Sequence, residues 1–225
     1  MSASPLSDRH LILGVTGSIA AYKAALLVRR FKTAGAEVQV LMTSAAERFV
    51  PALTLGTLSE REVLTDIFPE NEDGSWTQHV TLGEWADAFV VAPATAQTIA
   101  KLAHGFCDSM LTATALSARA PVLVCPAMDR EMYRHAATQR NLERLRDNGY
   151  KVMPAAHGEL ASGLEGQGRM PAPKDIAARV GALIETSADD DAPSRQPSGP
   201  LAGAHVLVTA GPTREPIDPV RMLTN

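Results

Sequence analysis

The sequence predicts an α/β fold in which helices cover both faces of a doubly wound parallel sheet. Short apolar runs recur along the chain, and a helical stretch follows most of them. Such runs are typical of strands buried on both faces of a parallel sheet. The hydrophobic fraction of 45% is ample for a core, and the aromatic fraction of 4% means that aliphatic side chains do most of the packing.

The first unit is an apolar strand over residues 11–15 that leads through Thr16, Gly17 and Ser18 into a helix over residues 19–33. A strand, a tight turn and a helix N-terminus point backbone N–H groups and the positive end of the helix dipole at one spot, which favours an anion. The turn has one glycine instead of the three of the GxGxxG dinucleotide motif. Phosphate binding and a plain strand-to-helix connection are both open at this point.

The remaining elements continue the alternation. We expect further strands at residues 37–42, 88–92, 121–125 and 150–153. We expect a helix at 45–49, a second that follows the strand at 88–92 and ends near residue 104, and further helices at 108–118, 130–147 and 174–185. Prolines, glycines and an acidic run indicate an irregular surface excursion over residues 51–76, and the glycine-rich residues 158–170 indicate a mobile flap.

The composition changes after residue 186. Residues 186–200 are acidic and rich in proline and serine, which is typical of a linker, and one more apolar strand follows at 205–208. One strand cannot bury a core of its own. We therefore expect a first domain at 1–186, a linker at 187–200 and, at 201–225, the truncated start of a second α/β domain of a longer protein.

Charge and composition exclude several classes of function. The formal net charge of −4 argues against non-specific nucleic-acid binding. No apolar run approaches the ~20 residues that a membrane span needs, and the first ten residues lack the apolar core of an export signal. Two cysteines, Cys107 and Cys125, cannot build a disulfide framework or a zinc site. We expect a cytoplasmic protein without a metal site in this domain and without a nucleic-acid or membrane partner.

The strand ends indicate where a ligand binds. Ligands of open parallel sheets lie beyond the carboxyl ends of the strands, at the point where the strand order reverses. Four strands of this chain end in the segments TGSI, MTSA, APATAQT and CPAMD. These segments are small, hydroxyl-bearing or proline-containing, so they suit close backbone approach to a flat, phosphorylated ligand.

Six segments together resemble the flavin-containing cysteine decarboxylase family. They are GVTGSIAAYK at 14–23, MTSAAERFV at 42–50, QHVTLGEWAD at 78–87, APATAQTIAKLAHGFCDSMLT at 92–112, PAMDREMY at 126–133 and SGLEGQGRM at 162–170. Within the family they are most similar to the decarboxylase half of the bifunctional phosphopantothenoylcysteine decarboxylase/phosphopantothenate–cysteine ligases of coenzyme A biosynthesis. Residues 208–225 resemble the opening of the ligase half, which would use Mg²⁺ and CTP but is too short here to catalyse anything.

The resemblance implies a flavodoxin-like, Rossmann-like sheet that assembles as homotrimers, often four to a dodecamer, with FMN bound between subunits. The implied FMN contacts are Gly17, Ser18, Ile19, Thr43, Ala92, Pro93, Ala94, Thr95, Asp108, Ser109 and Met110. Hydroxyls and backbone N–H groups suit the phosphate and ribityl chain. Each hydroxyl is equally suited to be a helix N-cap.

The implied reaction converts 4′-phospho-N-pantothenoylcysteine to 4′-phosphopantetheine and CO2 through a flavin-oxidised thioaldehyde, with the protein positioning the substrate and managing protons. His79 matches the family's active-site histidine, whose imidazole can accept or relay a proton near neutral pH. From its neighbours alone, His79 could equally be a surface or capping residue. The implied substrate contacts are Asp129, Met132, Gly163 and Arg169. Arg169 suits a phosphate but could also pair with a surface carboxylate.

Asp129 is the first departure from the family pattern. Many members have asparagine at this position, where it binds the substrate carboxylate. Repulsion between two carboxylates and protonation of an ordinary aspartate at pH 7 cost nearly the same free energy. Two alternatives therefore stay open: a raised pKa of Asp129 in the substrate complex, or a substrate whose carboxylate is turned away.

Ser162 is the second departure, because several relatives have a cysteine there that is proposed to protonate the enethiolate in the last step. A serine hydroxyl is too weak an acid to replace a thiol directly. Either water or another group protonates the intermediate, or the reaction stops at the oxidised enethiol. The ligase-like tail favours the complete reaction, because an enethiol product would have no use there.

Other interpretations of the function are enzymes of the same superfamily, a non-catalytic binding protein and a dehydrogenase. A flavin prenyltransferase or a peptide-cysteine decarboxylase would also be an enzyme, but the ligase-like tail counts against both. A non-catalytic regulator of a phosphatase is disfavoured by His79 and slightly favoured by the missing cysteine at Ser162. An NAD-dependent dehydrogenase would need the glycine fingerprint and an acidic residue closing the second strand, which are both missing.

Overall fold

The computed structural model describes residues 4–68, 77–190, 214–216 and 222–224. Five parallel strands form its main sheet in the order β2-β1-β3-β4-β5. They are β1 His10–Val15, β2 Glu37–Met42, β3 Ala88–Ala94, β4 Val122–Pro126 and β5 Lys151–Val152. This order is that of the flavodoxin-like doubly wound sheets, with the switch point between β1 and β3. The predicted fold class is confirmed.

The helices and a hairpin complete the first compact unit, which spans residues 1–190. A 3₁₀ turn, Ile19–Tyr22, precedes α1 Lys23–Thr33. The other helices are α2 Ser44–Glu47, α3 Ala52–Ser59, α4 Gln78–Trp85, α5 Ala96–His104, α6 Met110–Ser117, α7 Arg130–Arg134, α8 Ala136–Asp147 and α9 Pro173–Asp190. The strands β6 Ala156–Glu159 and β7 Glu165–Arg169 form an antiparallel hairpin.

Two hydrophobic clusters lie on opposite faces of the sheet, and β1 contributes to both. Leu11 and Leu13 belong to the cluster that contains the apolar sides of α1 and α9. Ile12, between them, belongs to the cluster that contains those of α5, α6 and α8. All three side chains are completely buried. Because both faces of the strand are covered, its sequence is a continuous apolar run instead of an alternating one.

Two predicted helices are interrupted. The predicted helix over residues 19–33 begins as the 3₁₀ turn and becomes α-helical at Lys23. The predicted helix over residues 130–147 is divided by His135, whose φ of −56° and ψ of 133° end α7. The Nδ1 atom of His135 then accepts a hydrogen bond from the N–H of Ala137 and caps α8. The ring nitrogen satisfies a backbone donor that would otherwise have no partner.

The predicted irregular excursion over residues 51–76 is partly wrong. Its first part forms α3, which packs Leu55 into the core and ends at Glu60 in a left-handed conformation with φ of 62°. Leu64 then forms a bridge to Leu41 beside β2. Residues 69–76 lie outside the described residues.

The predicted flap over residues 158–170 is a hairpin rather than an irregular segment. Its glycines let the hairpin pack closely against the chain around α7. The O atom of Gly168 accepts a hydrogen bond of 3.0 Å from the N–H of Met128. A Cβ atom at Gly168 would collide with the carbonyl oxygen of Met128, and one at Gly166 would collide with the side chain of Arg130. The two glycines are thus needed for the hairpin to pack against Met128 and Arg130.

The second unit spans residues 191–225. Its described part is a short antiparallel ladder of β8 Arg214–Pro216 and β9 Met222–Thr224. The predicted strand at 205–208 lies outside the described residues. In the first unit, α9 continues beyond the predicted residue 185, so residues 187–190 of the predicted linker are helical. Among the described helices, none has the length and apolar character to cross a membrane.

Candidate functional site

Two adjoining cavities lie at the carboxyl ends of the strands. The first, here called the hairpin cavity, measures about 520 Å³ and is bounded by the β1–α1 turn, the segment after β4 and the hairpin. The second, here called the Thr43 cavity, measures about 760 Å³ and is bounded by the segments after β2 and β3 and by the start of α6. Gly17, Thr95, Ala96 and Met132 line both. The two cavities therefore meet at the predicted switch point.

The β1–α1 turn is tied to the end of β3 at this junction. The buried hydroxyl of Thr16 donates to the carbonyl oxygen of Pro93 at 2.7 Å and accepts from the N–H of Thr95 at 3.1 Å. A Cβ atom at Gly17 would lie 2.6 Å from the Cβ atom of Ala45, so no larger residue fits the turn. The β1–α1 turn is therefore fixed in position, and its backbone lies close to the two cavities.

Three predicted cofactor contacts are helix caps. Ser18 accepts from the N–H of Ala20, Thr95 caps α5, and Ser109 forms a capping box with Thr112 at the start of α6. The capping reading of these hydroxyls is therefore correct. It does not exclude ligand binding, because a hydroxyl that accepts a backbone N–H still has its own hydrogen to donate.

Thr43 is different. Its Oγ1 atom is completely buried and has no hydrogen-bond partner within the described part of the chain, and it does not cap α2. The residue lines the Thr43 cavity. A buried hydroxyl without a partner is costly, and a bound ligand, ion or water is one way in which native proteins satisfy such a group. Thr43 is thus the clearest sign of a polar ligand in this cavity.

Asp108 and Lys101 form an ion pair at the rim of the Thr43 cavity. The hydrogen bond from Lys101 is the main reason why the pKa of Asp108 lies below its ordinary value. Asp108 is therefore ionised at neutral pH. The exposed Cys107 lines the same cavity.

Two cations, Lys23 and Arg169, line the hairpin cavity. Partial burial, and then the positive charge of Arg169, lower the pKa of Lys23. Two like charges beside one cavity favour a ligand with negative charge. Sequence reasoning identified Arg169 and missed Lys23, which lies six residues after Gly17, beyond the 3₁₀ turn.

Asp129 and Ser162 are in direct contact. Ser162 Oγ donates a hydrogen bond of 2.5 Å to Asp129 Oδ2, and Asp129 also caps α7 by accepting from the N–H of Glu131. The hydrogen bond from Ser162 is the first cause of the lowered pKa of Asp129. Asp129 lines the hairpin cavity, whereas Ser162 and Gly163, in the exposed turn of the hairpin, do not.

The other predicted residues divide between the cavities and the core. Ile19 and Met132 line the hairpin cavity and are 58% and 51% exposed. Ala92, Ala94 and Met110 are completely buried and line neither cavity. Pro93 follows a cis peptide bond and contributes the carbonyl oxygen that binds Thr16.

His79 lies in the first turn of α4 and lines neither cavity. Its carbonyl oxygen accepts a hydrogen bond of 2.9 Å from Ser117 Oγ at the end of α6. The described residues of one chain therefore do not bring His79 together with Asp129 and Arg169.

In the same described ranges, no group of three or more histidine, cysteine, aspartate or glutamate residues could hold a metal ion.

Residues 2–185 match the Flavoprotein family, and residues 201–225 match the family described as the DNA/pantothenate metabolism flavoprotein C-terminal domain. The chain belongs to the flavoprotein family. The Coenzyme A biosynthesis bifunctional protein CoaBC of Bacillus subtilis is 46% identical to this flavoprotein over 220 residues, which are 98% of the chain and 52% of that relative. The chain thus spans about half the length of the curated relatives it matches.

Solved structures agree with this assignment. A PPC decarboxylase variant in complex with pantothenoylaminoethenethiol is 32% identical to this flavoprotein, with a TM-score of 0.72 over 79% of the chain and 99% of that structure. The FMN binding protein AtHal3 is also 32% identical, with a TM-score of 0.70 over 80% of the chain and 98% of that structure. The resemblance inferred from the sequence is confirmed.

Proposed function

We propose that this flavoprotein catalyses the FMN-dependent decarboxylation of 4′-phospho-N-pantothenoylcysteine to 4′-phosphopantetheine in coenzyme A biosynthesis. The observation that carries the proposal is the junction of the two cavities at Gly17, Thr95 and Met132. One cavity has hydroxyl groups suited to a flavin nucleotide, and the other has cations suited to a phosphorylated substrate. The relatives named above, a PPC decarboxylase and an FMN binding protein, support the same pair of ligands.

The residues around the Thr43 cavity fit FMN. The unpartnered Thr43 Oγ1 needs a polar ligand atom, and Gly17 gives close access to the backbone. Ser109 and Thr95 have hydroxyl groups that can bind the ribityl chain or the phosphate in exchange for their contacts with the hydroxyls of Thr112 and Thr98. When bound, FMN supplies the reversible acceptor for two electrons that makes loss of CO2 from a cysteine possible. Among the other proposed contacts, Ala92, Ala94 and Met110 can act only through their backbone or by shaping the core.

Lys23 and Arg169 would bind the substrate's phosphate. Each cation raises the free energy of the other, and a phosphate with two negative charges between them would remove that repulsion. The fork of the Arg169 guanidinium suits two phosphate oxygens, and the Lys23 ammonium acts as a point charge. Met132 and the turn of the hairpin at Gly163 would enclose the rest of the substrate.

Asp129 and Ser162 would connect the hairpin to the substrate. Because Ser162 lowers the pKa of Asp129, Asp129 is an anion in the free protein at neutral pH. A substrate carboxylate next to Asp129 would either point away from it or bind together with protonation of Asp129. Protonation would weaken the hydrogen bond from Ser162.

His79 would act as the proton acceptor or relay at the site of a neighbouring copy. A general base must come within hydrogen-bond reach of the proton that it moves, and His79 lines neither cavity of its own chain. The exposed apolar side chains of Ile19, Tyr22 and Met132 around the hairpin cavity fit cover by another copy. We propose the homotrimer, and the dodecamer built from four of them, as the assembly.

The remaining proposals concern the whole protein. We propose a decarboxylase domain at 1–186, a linker at 187–200 and, at 201–225, the start of a phosphopantothenate–cysteine ligase domain that uses Mg²⁺ and CTP. The family match of residues 201–225 supports this division. We propose the cytoplasm as its location.

Mass analysis of the product tests the proposed function. The protein, loaded with FMN, is incubated with 4′-phospho-N-pantothenoylcysteine, and the product is weighed. The proposal predicts 4′-phosphopantetheine. A product lighter by two hydrogens would instead identify an enzyme that stops at the enethiol, which is the alternative that the serine at position 162 leaves open. Unchanged substrate would overturn the proposal.

A further inference from the structure

We infer that Ser117 is a positioning residue for His79: its hydroxyl, at the last residue of α6, fixes the backbone of the helix that carries the imidazole. The inference rests on the catalytic role proposed for His79. It adds to that role a residue that touches neither cavity and that no sequence motif indicated.

The contact is made on the backbone of His79 itself. Ser117 Oγ lies 2.9 Å from the carbonyl oxygen of His79 and 3.1 Å from that of Thr114. The hydroxyl has one hydrogen, which the two carbonyls share, and the contact with Thr114 is local because that residue lies three positions earlier in the same helix. The bond to His79 spans 38 residues of sequence and joins two different helices.

The approach of the two helices depends on a glycine. Gly83 lies four residues after His79, on the same face of α4. A Cβ atom at Gly83 would lie 2.8 Å from both the carbonyl oxygen and the Oγ atom of Ser117. The carbonyl oxygen of Gly83 accepts a hydrogen bond of 3.3 Å from the N–H of Arg119. Two successive turns of α4 are thus held by the end of α6.

The other end of α6 lies at the proposed cofactor cavity. Ser109 and Thr112 form the capping box that starts the helix, and both line the Thr43 cavity. Met110 and Leu111 are completely buried, so the first turn of the helix is packed into the core. An α-helix of eight residues is about 12 Å long and stiff. Through α6, the position of His79 is set by the same element that shapes the cofactor cavity of its chain.

This arrangement has a consequence for the reaction. A misplacement of about 1 Å, even from a change distant from the reacting atoms, can lower a rate by about a hundredfold. Loss of the Ser117 hydroxyl leaves the cavity walls intact, because the residue lines neither cavity. The expected effect is therefore on kcat, with KM and FMN affinity unchanged.

The test compares Ser117→Ala with Thr57→Ala in the FMN-loaded protein. Thr57 is a matched control because its exposed hydroxyl donates to the carbonyl of Leu53 within α3. For Ser117→Ala we expect a fall in kcat of about tenfold to a hundredfold and faster hydrogen–deuterium exchange in α4. Ser117→Thr, which keeps the hydroxyl, should recover most of kcat. Gly83→Ala, which keeps the hydroxyl but separates the helices, should show the same loss as Ser117→Ala.

Two results would overturn the inference. Unchanged exchange of α4 in Ser117→Ala would show that the hydroxyl does not hold the helix, and this readout needs no activity. Wild-type kcat together with faster exchange would show a purely structural role. Failure of the proposed function is a separate result, because in that case the wild-type protein itself would yield no product. The FMN content and thermal midpoint of each variant establish that it is folded.

Discussion

Ser162 Oγ donates a hydrogen bond of 2.5 Å to Oδ2 of Asp129, so the turn of the β6–β7 hairpin is attached to the N-terminal cap of α7. These are the two positions at which the sequence departs from the family pattern. The two departures are in direct contact, because the serine at one position donates to the carboxylate at the other. The hydrogen bond thus attaches the turn of the hairpin to a residue that lines the hairpin cavity.

Asp129→Asn should bind substrate more tightly. The substitution removes a negative charge next to the cavity that receives a carboxylate, and asparagine can still accept from Ser162. We expect the dissociation constant of 4′-phospho-N-pantothenoylcysteine to fall about twofold to fivefold at pH 7, measured by calorimetry. The product, 4′-phosphopantetheine, lacks the carboxylate and should bind both proteins equally. An equal gain for both ligands, or no gain for the substrate, would show that charge at this position is unimportant.

Ser162→Ala should destabilise the protein in a pH-dependent way. Ser162 lowers the pKa of Asp129 in the folded state, so the bond contributes stability above the ordinary carboxyl pKa of 3.8 and loses it as the pH falls through the lowered value. We expect a lower thermal midpoint than wild type at pH 7, and a difference that shrinks as the pH approaches the lowered pKa.

Ser7→Ala is the matched control for this experiment. The Ser7 hydroxyl lies 3.2 Å from a carboxylate oxygen of Asp8, the next residue, so its removal disconnects no second element. A midpoint difference for Ser162→Ala that is the same at pH 7 and in acid would mean that the Asp129 carboxylate does not stabilise the docked hairpin.

Lys23→Ala and Arg169→Ala should each weaken substrate binding through its phosphate. A hydrogen bond to a charged group contributes about 1.5–3 kcal/mol, so we expect KM to rise about tenfold to a hundredfold. Arg29→Ala, an exposed cation on α1 that does not line the hairpin cavity, is the control. With pantothenoylcysteine that lacks the phosphate, all four proteins should have similar KM values. A difference that persists with this substrate would assign the two cations to another role.

Thr43→Val should weaken FMN binding without destabilising the free protein. Valine has nearly the same shape, and the lost Oγ1 has no partner among the described residues, so the free protein loses no hydrogen bond. We expect the FMN dissociation constant, measured by quenching of flavin fluorescence, to rise about tenfold. Thr57→Val, on the surface of α3, is the control for β-branched substitution. Unaltered FMN affinity would mean that Thr43 Oγ1 does not contact the cofactor.

The strands were predictable because burial on both faces leaves a direct record in the sequence. Leu11, Ile12 and Leu13 face two different clusters, so every residue of that stretch must be apolar. The local sequence of the hairpin does not indicate its structure in the same way. Its residues are glycine-rich because Gly166 and Gly168 lie against α7 and Met128, and that requirement depends on a distant segment. A local pattern cannot distinguish such glycines from those of an irregular loop.

The location of the two cavities at the carboxyl ends of the strands was predictable, but the arrangement of side chains around them was not. Of the motif residues, Thr43 lines the Thr43 cavity, and Asp129 and Arg169 line the hairpin cavity. The contribution of Lys23 depends on the direction in which α1 leaves its turn, and the contact of Ser117 with His79 depends on how two helices pack. Both are properties of the folded chain. A sequence alone also does not reveal whether a residue such as His79 serves the cavity of its own chain or that of a neighbour.

The most direct test of the central claim is the visible absorption spectrum of the purified protein, recorded before and after addition of FMN. The account predicts a yellow protein, or one that takes up one FMN for each chain and quenches the fluorescence of the bound flavin. A protein that stays colourless, and leaves the fluorescence of added FMN unchanged, would contradict it.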